Sequence, residues 1–179
     1  MIKRKLIHPR KVVRIMQEFL TEISTLTTPD GTVRKAIVMK SEGFCADWVL
    51  PSDACVFRIG YDFNDITSEL HKVFRLDFIQ KCPMSQGFAD ITLVLLHEFG
   101  HIVTQAEVES WEHYNRQNEI RKLKEFFDND FDINMYGYFY LPDEVIATQW
   151  AIDWLQEPTH RAIAKQFEKN FFACFEKRG

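Results

Sequence analysis

The chain has 179 residues, 46% of them hydrophobic and 14% aromatic, which is enough apolar material for one sizeable core and too much for a disordered chain. Its formal net charge of -4 excludes a global attraction to nucleic acid or to anionic membranes; the basic start at Lys3, Arg4, Lys5, Arg10, Lys11 and Arg14 reads as the solvated start of a surface helix, with a local site for a phosphate or an acidic partner as the alternative. The four cysteines, Cys45, Cys55, Cys82 and Cys174, contain no Cys-x-x-Cys pair, which excludes a zinc knuckle and a dithiol redox motif.

In chain order, residues 9 to about 23 place Val12, Val13, Ile15, Met16, Phe19, Leu20 and Ile23 near helical spacing, so the spacing predicts an amphipathic helix. Arg14, Gln17 and Glu18 interrupt that stretch, so no signal-peptide apolar region follows the basic start. A turn cluster from Thr27 to Gly31 ends the helix. Residues 33–39, 44–50 and 54–63 then read as strands, the last with Cys55, Phe57, Ile59 and Tyr61 alternating against Val56, Arg58, Gly60 and Asp62. A three-stranded antiparallel sheet is expected.

The remainder is helical in character. Helices are expected at 66–80, at 87 to about 104 with Ser85 as N-cap, at 107–127, from Pro142 to about 156, and from Pro158 toward 175. The longest membrane-like run, 91–96, is far short of the ~20 residues that span a bilayer. No repeat, linker or low-complexity tract divides the chain, so one domain over 1–179 and a cytoplasmic location are expected, with the cysteines as buried free thiols and a Cys45–Cys55 bridge left open by spacing alone.

His97-Glu98-Phe99-Gly100-His101 places two imidazoles four residues apart, on one face of a helix, where both reach one ion. Chance would supply about 0.015 matches to this pattern in a chain of this composition. Directly after Leu93-Val94-Leu95-Leu96, these polar groups would be buried without partners unless something compensates them, and a metal ion would do so. Catalytic zinc takes three protein ligands and leaves the fourth position to water, so a further ligand must come from elsewhere. Thr104 and Glu107 stand where a metzincin would have glycine and histidine, which excludes that class. The candidate is Glu144, in the first turn of a helix whose Ala147 and Ala151 are small enough for close approach to a neighbour; Asp143, His113, Glu107 and the acids of 128–132 are rivals.

Two stretches, His97-Glu98-Phe99-Gly100-His101 and Glu144 to Ala151 with its Glu-x-x-Ala-x-x-aromatic-Ala pattern, resemble the catalytic core of the gluzincin zinc metallopeptidases, in particular the small ImmA/IrrE-like enzymes. The resemblance covers about 10% of the chain and implies a zincin-like α+β fold: an N-terminal helix, a small sheet whose edge strand, here 54–63, lies over the cleft, then mostly helices. It implies one Zn2+ held by His97, His101 and Glu144, with Glu98 as general base and a peptide or regulatory protein as substrate. Tyr136, Tyr138 and Tyr140 alternate just upstream of Glu144, and Tyr136 is the candidate donor to the oxyanion. The expected function is zinc-dependent peptide hydrolysis; the alternatives are a zinc-binding regulatory protein on the same scaffold without proteolysis, and a metal-free interaction domain. Membrane and nucleic-acid partners are not expected.

Overall fold

The structure, a computed structural model, describes residues 5–6, 8–27, 35–40, 45–49, 54–59, 69–127 and 137–176, with side chains at 8, 10–27, 75–127, 137 and 139–175. Tyr136 and the acidic stretch 128–132 therefore lie outside the described residues, as does the side chain of Tyr138. The chain divides into two compact units, Met1–Asp65 with Leu155–Gly179, and Ile66–Trp154.

In the first unit, helix α1 (Pro9–Thr27) buries Val12, Ile15, Met16, Phe19, Leu20 and Ile23, a stripe at helical spacing. Helix α6 (Pro158–Phe172) meets it with Phe167, whose ring stacks on Phe19 at 4.2 Å between centroids. Strand β1 (Lys5–Leu6) pairs antiparallel with β5 (Phe175–Glu176). Strands β2 (Lys35–Lys40), β3 (Cys45–Val49) and β4 (Ala54–Ile59) form a small ladder in the order β2-β4-β3, and α1 lies against β2. Cys45 stands opposite Arg58 and Cys55 opposite Trp48, so the two cysteines are about 10 Å apart along the strands, beyond the span of a disulfide. Cys82 and Cys174 are buried free thiols.

Among the described residues the second unit is all-α. Helix α2 (Glu69–Lys81) runs into a 3-10 turn (Pro83–Gly87), and Arg75 holds that corner by donating to the Phe88 carbonyl at 3.1 Å and pairing with Asp90, the first residue of α3 (Asp90–Ser110). Every residue of α3 from Ile91 to Gly100 is buried, because its apolar run has no polar side to offer water until Glu98 and His97, which are also inside. Helix α4 (Arg116–Phe126) follows a break at 111–115, where His113 takes φ 68 and the Asn115 side chain caps the new helix by accepting from the Asn118 N–H. The single helix expected over 107–127 is thus two. Helix α5 (Pro142–Gln156) begins at the expected proline.

These observations correct the expected class from α+β to helical. Six α-helices make up most of the described residues, and the unit holding the His-Glu-x-x-His segment contains no strand among them. Strand β4, expected as an antiparallel edge over the cleft, pairs on both sides, parallel with β2 and antiparallel with β3, so it is not an edge. Alternation at 54–59 marks a strand but carries no information on how many neighbours it has. No helix of the described residues is long and apolar enough to cross a membrane.

The contact between α3 and α5 is unusually close. A Cβ built on Gly100 would lie 3.0 Å from the Ala147 Cα and closer still to the Ala147 carbonyl oxygen, which is backbone and cannot rotate away. Gly100→Ala would gain about 1 kcal/mol of helix propensity but suffer a clash of about 1–3 kcal/mol or more, so the clash wins. It is expected to lower the melting temperature, whereas Gly87→Ala, with nothing within 4 Å of its new Cβ, is expected to change stability by less than about 0.5 kcal/mol. Thermal unfolding followed by circular dichroism compares the two.

Candidate metal centre

Because α3 and α5 approach so closely, a side chain from each can meet the other without spanning a gap. On α5, Glu144, Ala147, Thr148 and Ala151 are all buried, at spacings of three, four and seven residues, and form the stripe that faces inward. On α3, His97 and His101 stand one turn apart, with ring centroids 4.7 Å apart and planes nearly perpendicular.

Three ligand atoms converge between the helices. Glu144 Oε2 lies 3.0 Å from His97 Nε2 and 3.3 Å from His101 Nε2, and the two Nε2 atoms are 3.1 Å apart. Tetrahedral zinc with bonds of about 2.0–2.1 Å separates its ligand atoms by ~3.3–3.4 Å, so this triangle is one face of such a tetrahedron contracted by a few tenths of an ångström. Two imidazoles and one carboxylate are also a donor set that catalytic zinc uses. His97 Nδ1 lies 3.0 Å from Thr148 Oγ1. With Nε2 turned to the convergence point as an acceptor, Nδ1 carries the proton and donates it to that hydroxyl, which fixes ring and tautomer together.

Glu98 is buried, and its charge acts on His101, so it belongs to the same neighbourhood. Arg116, at the start of α4, donates to Glu144 Oε1 at 2.7 Å and pairs with Asp143; the Tyr114 hydroxyl donates to the other oxygen of Asp143 at 2.5 Å. With both imidazoles neutral, Glu98, Asp143 and Glu144 against Arg116 leave a formal charge of two negatives, which a divalent cation would neutralise.

The proton equilibria carry the same imbalance. Burial pulls the His101 pKa down, but the hydrogen bond and charge of Glu144, with Glu98 adding to them, outweigh it and raise the pKa above its ordinary 6.5. Burial pushes Glu144 up, yet its hydrogen bonds to His101 and His97 hold it far below the usual carboxylate range. The acidic surroundings therefore favour the protonated form of His101, which adds one positive charge against the carboxylates.

The structure brings His97, His101 and Glu144 together, and Glu98 beside them. Of the rival ligands, Asp143 is engaged with Arg116 and Tyr114, while Glu107 and His113 are exposed and outside the cluster. Tyr140 is 74% exposed. Arg116, Tyr114 and Thr148 were not singled out by sequence reasoning. Thr148 alone had a signal, one turn after Glu144 on the same face; Arg116 and Tyr114 come from a different segment, and nothing in the local pattern points from them to residue 144.

Two outcomes are expected of these contacts. Thr148→Val frees the His97 ring and lowers zinc affinity about 10-fold, measured by competition with a chromogenic chelator. In the metal-free protein, the raised His101 pKa contributes stability that is full below pH 6.5 and is lost as pH rises through the folded-state value. The depressed Glu144 pKa contributes stability that is present above about pH 4.5 and is lost as pH falls. Urea unfolding of the metal-free protein should therefore be hardest between roughly pH 4.5 and 6.5 as far as this cluster decides it, and Glu144→Gln should flatten that dependence.

No protein-family model, curated protein or solved structure matches the chain.

Proposed function

We propose that this chain is a zinc-dependent peptidase, with His97, His101 and Glu144 as the metal ligands and Glu98 as the general base. The observation that carries the reading is the convergence of three ligand atoms, all within 4.8 Å of one another, from two helices that touch at Gly100 and Ala147, with a further carboxylate, Glu98, buried in the same turn of α3.

Zinc held by His97, His101 and Glu144 would supply Lewis-acid polarisation of a substrate carbonyl and would lower the pKa of a bound water toward ~7. The chain's own residues do the rest. Glu98 follows His97 directly and so stands about 100° around α3 from it and about 60° from His101, beside the face that carries the two imidazoles. From there it takes the proton of the attacking water and passes it to the amine that leaves. His97, fixed by Thr148, and Glu144, fixed by Arg116, keep the ligand atoms in place while that proton moves. Burial of His97, Glu98 and Glu144 limits the access of bulk water to the reacting groups, while His101 stays partly open.

The test pairs two variants. Metal analysis of untagged protein is expected to find about one zinc per chain in the parent and in Glu98→Gln, and substantially less in Glu144→Ala. Chelator-sensitive cleavage of a mixed library of unstructured peptides is expected from the parent, with Glu98→Gln slower by about 10²–10⁴-fold. Cleavage undiminished in Glu98→Gln would remove Glu98 from the mechanism. Zinc bound without cleavage of any peptide would make the chain a zinc-binding protein on this scaffold, and no zinc after reconstitution would end the metal reading.

A further inference from the structure

Glu144 has two carboxylate oxygens, and they face opposite ways in function. Oε2 points at the two imidazoles, whereas Oε1 accepts from the Arg116 guanidinium at 2.7 Å. Arg116 is not a lone surface charge that happens to reach inward. Its other terminal nitrogen pairs with Asp143, the residue before Glu144, and Asp143 is in turn held by the Tyr114 hydroxyl. Asp143 and Glu144 are both buried, and Arg116 stands at the first position of α4 directly after its Asn115 cap, so its backbone is anchored as well. The result is a chain of contacts from Tyr114 through Asp143 and Arg116 to Glu144, joining the start of α4 to the start of α5.

From this geometry we infer that Arg116 is the positioning residue of the metal centre, which limits Glu144 to ligation through Oε2 alone and so keeps a coordination position open for water. The inference rests on the zinc reading above. A carboxylate with both oxygens free can bind an ion through one or both of them, and the second mode fills the place that water needs. A planar guanidinium with two donors, one on Glu144 and one on Asp143, occupies Oε1 and opposes rotation of the carboxylate about its last bond. It also withdraws charge from Glu144, so the ion keeps more of its own. Asp143 balances Arg116, which lets a cation stand this near a metal site without repelling the metal outright.

Lysine at 116 has a single point of charge and cannot span both carboxylates with a fixed plane, so it would preserve charge but not the orientation of Glu144. This separates positioning from simple electrostatics.

The test uses cobalt(II) in place of zinc, in the full-length parent, Arg116→Gln, Arg116→Lys and Asp143→Asn, with two readouts that do not depend on activity. These are the visible d–d absorption of the bound cobalt, intense for four-coordinate and weak for higher coordination, and metal affinity by chelator competition. The parent is expected to give the intense spectrum. Arg116→Gln is expected to lose about 10–100-fold in affinity and to shift to the weak spectrum; Arg116→Lys is expected to recover part of the affinity but not the spectrum. Asp143→Asn keeps the volume at the site, and it is expected to shift the spectrum in the same direction by loosening Arg116. If the parent binds neither cobalt nor zinc, the metal reading and this inference fall together. If the parent binds and both Arg116→Gln and Asp143→Asn keep its spectrum and affinity, the role of Arg116 is overturned and the zinc reading stands. Should Arg116→Gln fail to fold, as seen by loss of helical circular dichroism, Asp143→Asn and Arg116→Lys decide the matter alone.

Discussion

The candidate site depends on how near two helix backbones come to each other. Side chains normally hold helices 8–10 Å apart, and at that distance a glutamate would spend its length crossing the gap. At Gly100 there is no side chain, and the Ala147 backbone occupies the space where one would be. Glu144, one turn before Ala147, then reaches the histidines on the far side with its second oxygen still free for Arg116. Ala151, a further turn along, and the packing of Phe99 on Trp150 at 5.5 Å continue the same contact away from the ligands.

Such proximity concentrates charge where water is scarce. Two histidines, three carboxylates and an arginine lie in or against a helix pair whose surrounding residues, Leu93 to Leu96, Phe99 and Ile152, are apolar and buried. Each charged group in that setting must find a partner or neutralise. The opposite displacements of the His101 and Glu144 pKa values express that requirement: a proton between them is stabilised, and a metal ion in its place would meet the same need. Cation binding and the burial of Glu144 are therefore two sides of one energetic constraint.

The connection between α3 and α4 takes on meaning in this light. The chain breaks the helix at 111–115, sets His113 in the left-handed region, and restarts with an asparagine cap. That geometry delivers Tyr114 to Asp143, and Arg116 to Asp143 and to the oxygen of Glu144 that the histidines leave. A continuous helix over 107–127 would have carried both residues past the site along the α3 axis.

Much of the site was legible because it is local: His97, Glu98 and His101 sit within one turn and a half, where helical periodicity converts spacing directly into a shared face. Glu144 was legible at one remove, through Ala147 and Ala151, since small residues at helical spacing announce close approach without naming the partner. The elements were largely visible too, as apolar stripes and prolines at helix starts, while the sheet was misjudged in its pairing and its place in the class because alternation says nothing of neighbours. Arg116 and Tyr114 were beyond reach for a related reason, and Thr148 was marked only by its place on the face of Glu144. Their roles are set by which atoms lie within 3 Å of Asp143, Glu144 and His97 across 28, 29 and 51 residues of chain. The sequence by itself determined that two histidines and a glutamate share one turn of a helix and that a second glutamate opens a helix built for close approach. Only the tertiary structure decided which oxygen of Glu144 faces the histidines and what holds the other, because that is fixed by packing between segments and not by the pattern within any one of them.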